Sequence, residues 1–124
     1  MKTMRAAVLI GMSMLLGACS PSWYHLDLSN HSAENIRVDV KAQKGDAEPT
    51  LIASGPMSAG QTYKMSAPAD RDAKVQVEAR VQGDDKTPPA TKKVFVGTSN
   101  LIINPNPDST NDASKPRLKI DQPR

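Results

Sequence analysis

Residues 35–43 (NIRVDVKAQ) alternate apolar and polar side chains more regularly than any other stretch of the chain. Successive side chains of a β-strand point to opposite faces of a sheet, so an apolar residue at every second position predicts a half-buried strand. The side chains expected to face the core are Ile36, Val38, Val40 and Ala42. The intervening residues are charged or polar and are expected to face solvent.

Six further stretches show a similar strand pattern, with turn-forming residues every eight to twelve positions or so. These stretches are residues 24–28, 50–54, 62–65, 73–81, 92–96 and 100–103. Their expected inward residues include Tyr24, Leu26, Leu28, Tyr63, Met65, Val75, Val77, Ala79 and Val81. About seven short strands with this spacing predict an all-β fold, specifically a small antiparallel β-sandwich over residues 23–103.

The spacing of the strands, including residues 58–61 (SAGQ) leading into an apolar strand, resembles that of immunoglobulin-like and fibronectin-like domains. A transthyretin-like sandwich fits the pattern equally well. The Cys…Trp…Cys pattern of antibody domains is absent, because the chain has one cysteine. The immunoglobulin-like and transthyretin-like alternatives therefore both stay open.

The N-terminal segment has a different composition. Residues 1–5 carry Lys2 and Arg5 without an acidic residue, and residues 6–15 (AAVLIGMSML) are nearly all apolar. As a helix this apolar run spans about 15 Å, half of a roughly 30 Å hydrocarbon core. A basic start and a short apolar centre predict a cleaved secretory signal helix rather than a membrane-spanning one.

The next four residues, Leu16-Gly17-Ala18-Cys19, resemble the lipobox of bacterial lipoprotein precursors. This resemblance implies that the Cys19 thiol receives a diacylglyceryl group and that signal peptidase cleaves between Ala18 and Cys19. Residues 1–18 would then be the signal peptide and residues 19–22 a lipidated tether. In the family's usual sorting pattern Asp after the cysteine retains the protein in the inner membrane, so Ser20 implies an outer-membrane lipoprotein facing the periplasm.

The charge of the mature chain is nearly balanced. Without Lys2 and Arg5, fourteen of the sixteen basic residues remain against thirteen acidic ones. The overall positive charge therefore does not indicate a nucleic-acid partner. We also expect no cofactor and no small-molecule substrate. The acidic pairs at residues 70–72 and 84–85 are interpreted as solvated loop charges.

The C-terminal segment is expected to be a disordered polar tail over residues 104–124. Residues 104–116 (NPNPDSTNDASKP) contain one apolar side chain and three prolines, too little apolar surface to offset the entropy lost on ordering. Residues 117–120 (RLKI) could add an edge strand, but we expect them to stay free.

The one cluster of metal-ligating side chains is His25, Asp27 and His31. Two imidazoles and a carboxylate suit Zn²⁺ or Cu²⁺ if the fold brings them together. We expect them instead to be solvated separately. The predicted function is a non-enzymatic protein-binding or structural module of the envelope, docking through edge strands at residues 24–29 and 100–103. The alternative is a small envelope hydrolase or weak metal-binding protein that uses these three residues.

Overall fold

The computed structural model describes residues 20–123, and the predicted signal peptide and Cys19 lie outside them. The described chain forms eight strands and one 3₁₀ turn at Pro107–Ser109. The strands are β1 (Ser22–Asn30), β2 (Ile36–Gln43), β3 (Thr50–Met57), β4 (Thr62–Ala69), β5 (Lys74–Val81), β6 (Ala90–Val94), β7 (Gly97–Pro105) and β8 (Leu118–Asp121). They make two four-stranded sheets. The predicted all-β sandwich is confirmed.

The first sheet has the order β4-β1-β7-β8 and the second the order β3-β2-β5-β6. Neighbouring strands are antiparallel except for β1 and β7, which run parallel. The prediction of an antiparallel sandwich is therefore wrong at this one pair. The reason is that the chain leaves β6 in the second sheet and crosses to the first at the end where β1 begins, so that β7 runs in the same direction as β1.

The strand order can be compared with that of immunoglobulin domains. In immunoglobulin constant-type domains the first strand pairs with the second, which lies in the same sheet. Here β1 lies between β4 and β7, and β2 belongs to the other sheet. The order therefore differs from that of constant-type immunoglobulin domains, and the transthyretin-like alternative stays a prediction.

The core lies between the two sheets and is filled by the alternating apolar residues of the strands. Its fully buried side chains of largest volume are Leu26, Leu28, Ile36, Met57, Leu101, Ile103, Val38, Val40, Val75 and Val77. The inward residues predicted for β1, β2 and β5 are buried, apart from Ala42, which is half-buried. Tyr63 was expected inside but is 39% exposed. It lies on the edge strand β4, where its ring covers Gly55 of β3 at the open side of the sandwich.

Strands β3 and β4 extend beyond their predicted ends because proline does not terminate them. Pro56 lies within β3 and Pro68 within β4. Both strands are edges of their sheets. An edge strand can accommodate a residue without an N–H, since only one side of it must pair. Met57, which lies beyond the predicted strand over residues 50–54, is consequently a buried strand residue.

The expectation that residues 104–124 form a disordered tail is wrong. Strand β8 pairs antiparallel with β7, and Leu118 and Ile120 are buried at 3% and 8% exposure. The connecting segment is held by local hydrogen bonds, including one from Asn106 Nδ2 to the carbonyl oxygen of Pro116 at 2.9 Å. Two buried aliphatic side chains and a strand pairing thus supply the stabilisation that composition alone does not indicate.

The prediction that residues 24–29 and 100–103 form edge strands is also wrong. They belong to β1 and β7, which lie inside the first sheet because β4 and β8 cover them. Within residues 20–123 the edge strands are β4 and β8 in one sheet and β3 and β6 in the other.

Candidate functional surface

The chain enters the sandwich at Ser22, and several other segments lie at the same end. Strand β4 finishes beside the start of β1, and β7 begins there, with Ser22 opposite Ala69 and Tyr24 opposite Gly97. Residues 43–50 and 70–73 join this group, since Lys44 Nζ lies 3.3 Å from Asp70 Oδ2. We call this region, formed by residues 20–23, 43–50, 70–73 and 95–97, the entry end.

Three large apolar side chains are exposed at the entry end. Trp23 is 49% exposed, Phe95 69% and Val96 60%. We call these three residues the apolar rim. Single exposed hydrophobic residues are ordinary, but neighbouring ones at one end of a small domain indicate an interaction surface.

The exposure of Phe95 and Val96 follows from how the chain crosses between the sheets. Val94 is the last core residue of β6, at 2% exposure, and Gly97 is the first residue of β7. Gly97 has φ of +103°, a backbone conformation that side chains with a Cβ rarely adopt. The sequence prediction placed residues 95 and 96 in a strand and so missed this surface. Gly97, directly after these two residues, is the feature of the sequence that indicates where the chain crosses between the sheets.

Trp23 is held in a defined orientation on the outer face of β1. Its ring stacks on the imidazole of His25, with centroids 6.2 Å apart and an interplanar angle of 11°. His25 Nδ1 in turn lies 2.8 Å from Ser66 Oγ on β4. The hydrogen bond to β4 restricts the imidazole, and the stack on that imidazole favours one position for the indole.

The entry end has more acidic than basic side chains, and two lysines beside it balance the excess. The basic side chains there or beside it are Lys44, Arg71, Lys74 and Lys93, and the acidic ones are Asp46, Glu48, Asp70 and Asp72. Lys44 Nζ lies between Asp70 Oδ2 at 3.3 Å and Asp72 Oδ1 at 3.9 Å. These exposed pairs contribute little to stability, but they leave the entry end without strong net charge.

The structure does not bring the predicted metal-ligating residues together. His25 and Asp27 share the outer face of β1, whereas His31 follows the last residue of that strand. At about 3.3 Å per strand residue, the Cα atoms of His25 and His31 are roughly 20 Å apart. Asp27 Oδ1 lies 3.9 Å from Lys64 Nζ. Within the described part of the chain, no group of three or more His, Cys, Asp or Glu side chains is placed to hold a metal ion.

The opposite end of the sandwich carries a cluster of polar contacts around Arg117. Its guanidinium lies 2.5 Å from Glu34 Oε2 and 3.5 Å from Asp84 Oδ2. Asp84 also accepts a hydrogen bond from Thr87 Oγ1 at 2.6 Å and bonds from two backbone N–H groups. Chiefly because of the Thr87 hydroxyl, the pKa of the Asp84 carboxyl falls to about 2. Asp84 is therefore a loop-organising residue rather than the freely solvated charge we predicted.

No protein-family model matches the chain, and no curated protein matches it. A similar solved structure is the NMR structure of a protein from Eubacterium rectale, at 15% sequence identity and a TM-score of 0.46. The match covers 84% of this chain and 89% of that one. In the described region there is no helix with both the length and the apolar character needed to cross a bilayer.

Proposed function

We propose that the chain is a bacterial lipoprotein, acylated at Cys19 after cleavage between Ala18 and Cys19. The observation that carries this proposal is the Leu16-Gly17-Ala18-Cys19 motif directly after a short apolar run. The position of the fold supports it, because β1 begins at Ser22. Cleavage before Cys19 would keep the whole described sandwich and leave a three-residue link to the first strand.

The chemistry of the anchor explains why one cysteine is sufficient. The thiolate is the nucleophile that accepts the lipid. Each buried methylene contributes about 0.8 kcal/mol, so one acyl chain binds marginally and two or three bind firmly. Ser20 favours the outer membrane, with the sandwich on its periplasmic side.

The proposed role of the sandwich is that of a non-enzymatic protein-binding or structural module of the envelope. The surfaces that support this role are its edge strands, of which β3 and β4 are the longest, at eight residues each. An extended segment of a partner can pair with such an edge through its backbone. Leu51 on β3 is 53% exposed and would add an apolar contact.

The anchor is tested by labelling cells with a palmitate analogue. The wild-type protein should incorporate the label, and Cys19→Ser should lose it and accumulate with its signal peptide attached. Ser20→Ala keeps the thiol and serves as the control, with expected labelling equal to wild type. Normal labelling of Cys19→Ser would overturn the proposal.

The binding role is tested separately by crosslinking in intact cells followed by solubilisation in mild detergent. A discrete crosslinked species that depends on edge residues of β3 or β4 supports it. Recovery of the acylated chain alone, at every crosslinker length, argues for a passive envelope protein instead.

A further inference from the structure

We infer that the apolar rim (Trp23, Phe95 and Val96) is a second, non-covalent membrane contact that seats the entry end of the sandwich on a lipid surface. This inference deepens the proposed function and rests on it for the closeness of the bilayer. It adds an orientation: the strands of the sandwich point away from the membrane, and the Arg117 end faces the periplasm.

The length of chain between the anchor and the rim is the first argument. Trp23 is four residues after Cys19, and an extended chain covers at most about 3.6 Å per residue. Once Cys19 is acylated, the indole therefore lies within about 14 Å of the lipid attachment point. Phe95 and Val96 lie at the same end of the sandwich, so the bilayer is the first large surface that the rim meets.

The chemistry of the rim is the second argument. Tryptophan favours the membrane–water interface, where its ring is partly buried and its N–H remains hydrated. Phe95 and Val96 add apolar surface that gains free energy in the same region. Trp23 is also held in one orientation by its stack on His25.

The balanced charge of the entry end is the third argument. An end with strong net positive charge would bind anionic lipid by attraction, and a strongly negative one would be repelled. Here the four acidic side chains are matched in number by two basic side chains of the entry end together with Lys74 and Lys93 beside it, and some are paired, as in Lys44 with Asp70. The contact should therefore depend on apolar surface, with little response to salt or to the fraction of anionic lipid.

The experiment uses Trp23 as the reporter, since it is the only tryptophan of the chain. The acylated protein is reconstituted into phosphatidylcholine vesicles whose acyl chains carry bromine, which quenches indole fluorescence on contact. A flexible Gly/Ser insertion of about ten residues between Ser20 and Pro21 adds roughly 17 Å of reach. With that insertion the anchor alone no longer holds the indole at the bilayer.

We expect quenching to persist in the lengthened protein, because the rim itself binds. Adding Phe95→Ser and Val96→Ser to the lengthened protein should reduce the quenching about twofold or more. Phe95→Leu with Val96→Ile should retain it. Replacing a third of the lipid by phosphatidylglycerol should change little.

Two outcomes overturn the inference. One is loss of quenching on lengthening alone, and the other is quenching that the Phe95 and Val96 substitutions leave unaffected. If the rim crosslinks to a protein in cells while the vesicles show no quenching, its partner is a protein and the membrane assignment fails. Mass spectrometry of the N-terminal peptide separates these results from failure of the proposed function, because that failure would leave Cys19 without acyl chains.

Discussion

Asn30 Nδ2 donates a hydrogen bond of 3.0 Å to the carbonyl oxygen of Ser58, joining the β1–β2 turn to the β3–β4 turn. The same nitrogen lies 2.9 Å from the Glu34 carbonyl oxygen, and Asn30 Oδ1 accepts from the Ser32 N–H and hydroxyl. Asn30 is completely buried. The side-chain amide of Asn30 thus forms hydrogen bonds with backbone groups of two turns. Both turns lie at the end of the sandwich opposite the entry end.

Replacing Asn30 by Ala should therefore be costly. It leaves buried carbonyl and N–H groups without their partner, and we expect a loss of about 2–4 kcal/mol in the free energy of unfolding, measured by urea denaturation. Asn100→Ala, on the exposed outer face of β7, is the matched control and should stay within about 0.5 kcal/mol of wild type. Equal stabilities for the two variants would contradict the role given to Asn30.

Removal of β8 should expose an interior strand. Deleting residues 117–124 takes away the buried side chains of Leu118 and Ile120 and the hydrogen-bonding partner of β7. We expect this variant to unfold at lower urea concentration and to aggregate, as measured by light scattering, because an unpaired apolar edge templates association. Deletion of residues 122–124 alone, beyond the end of β8, should leave both properties unchanged. A soluble variant of wild-type stability without β8 would show that the C-terminal strand is dispensable.

The pH dependence of the free energy of unfolding should reflect the titration of Asp84. Its pKa is lowered in the folded state from 3.8 to about 2, so folding stabilises the ionised form. The resulting stability is fully present above the unfolded pKa near 4 and is lost as the pH falls towards 2. Asp84→Asn should thus lower the urea midpoint by a constant amount at neutral pH, and the difference should shrink below about pH 4. Asp85→Asn, an exposed neighbour, should show a much smaller difference across this range.

The sequence predicts the strands well where alternation is strict, as in β2 and β5, because burial of one face imposes a period of two on the residues themselves. The prediction fails where contacts between residues far apart in the sequence determine the structure. Residues 118–121 become a strand because β7 offers an open edge. The sequence allows an edge strand at residues 117–120, but the polar linker before it gives no sign that the chain returns to β7. The apolar rim was missed for the same reason. Phe95 continues an apolar pattern locally, yet the chain is already crossing between sheets at that point.

Gly97 should be the residue that makes this crossing possible. Its φ of +103° is unfavourable for any residue with a Cβ, although an added Cβ would meet no atom within 4 Å. Gly97→Ala should therefore destabilise the fold by about 1–2 kcal/mol through backbone conformation alone. Gly55→Ala is the informative comparison, since its Cβ would contact Met65 Cε at 3.4 Å without requiring a positive φ. We expect a smaller change there, because the end of a methionine side chain can shift. If urea denaturation ranks the two variants in the opposite order, crowding between the sheets outweighs the backbone constraint at the crossing.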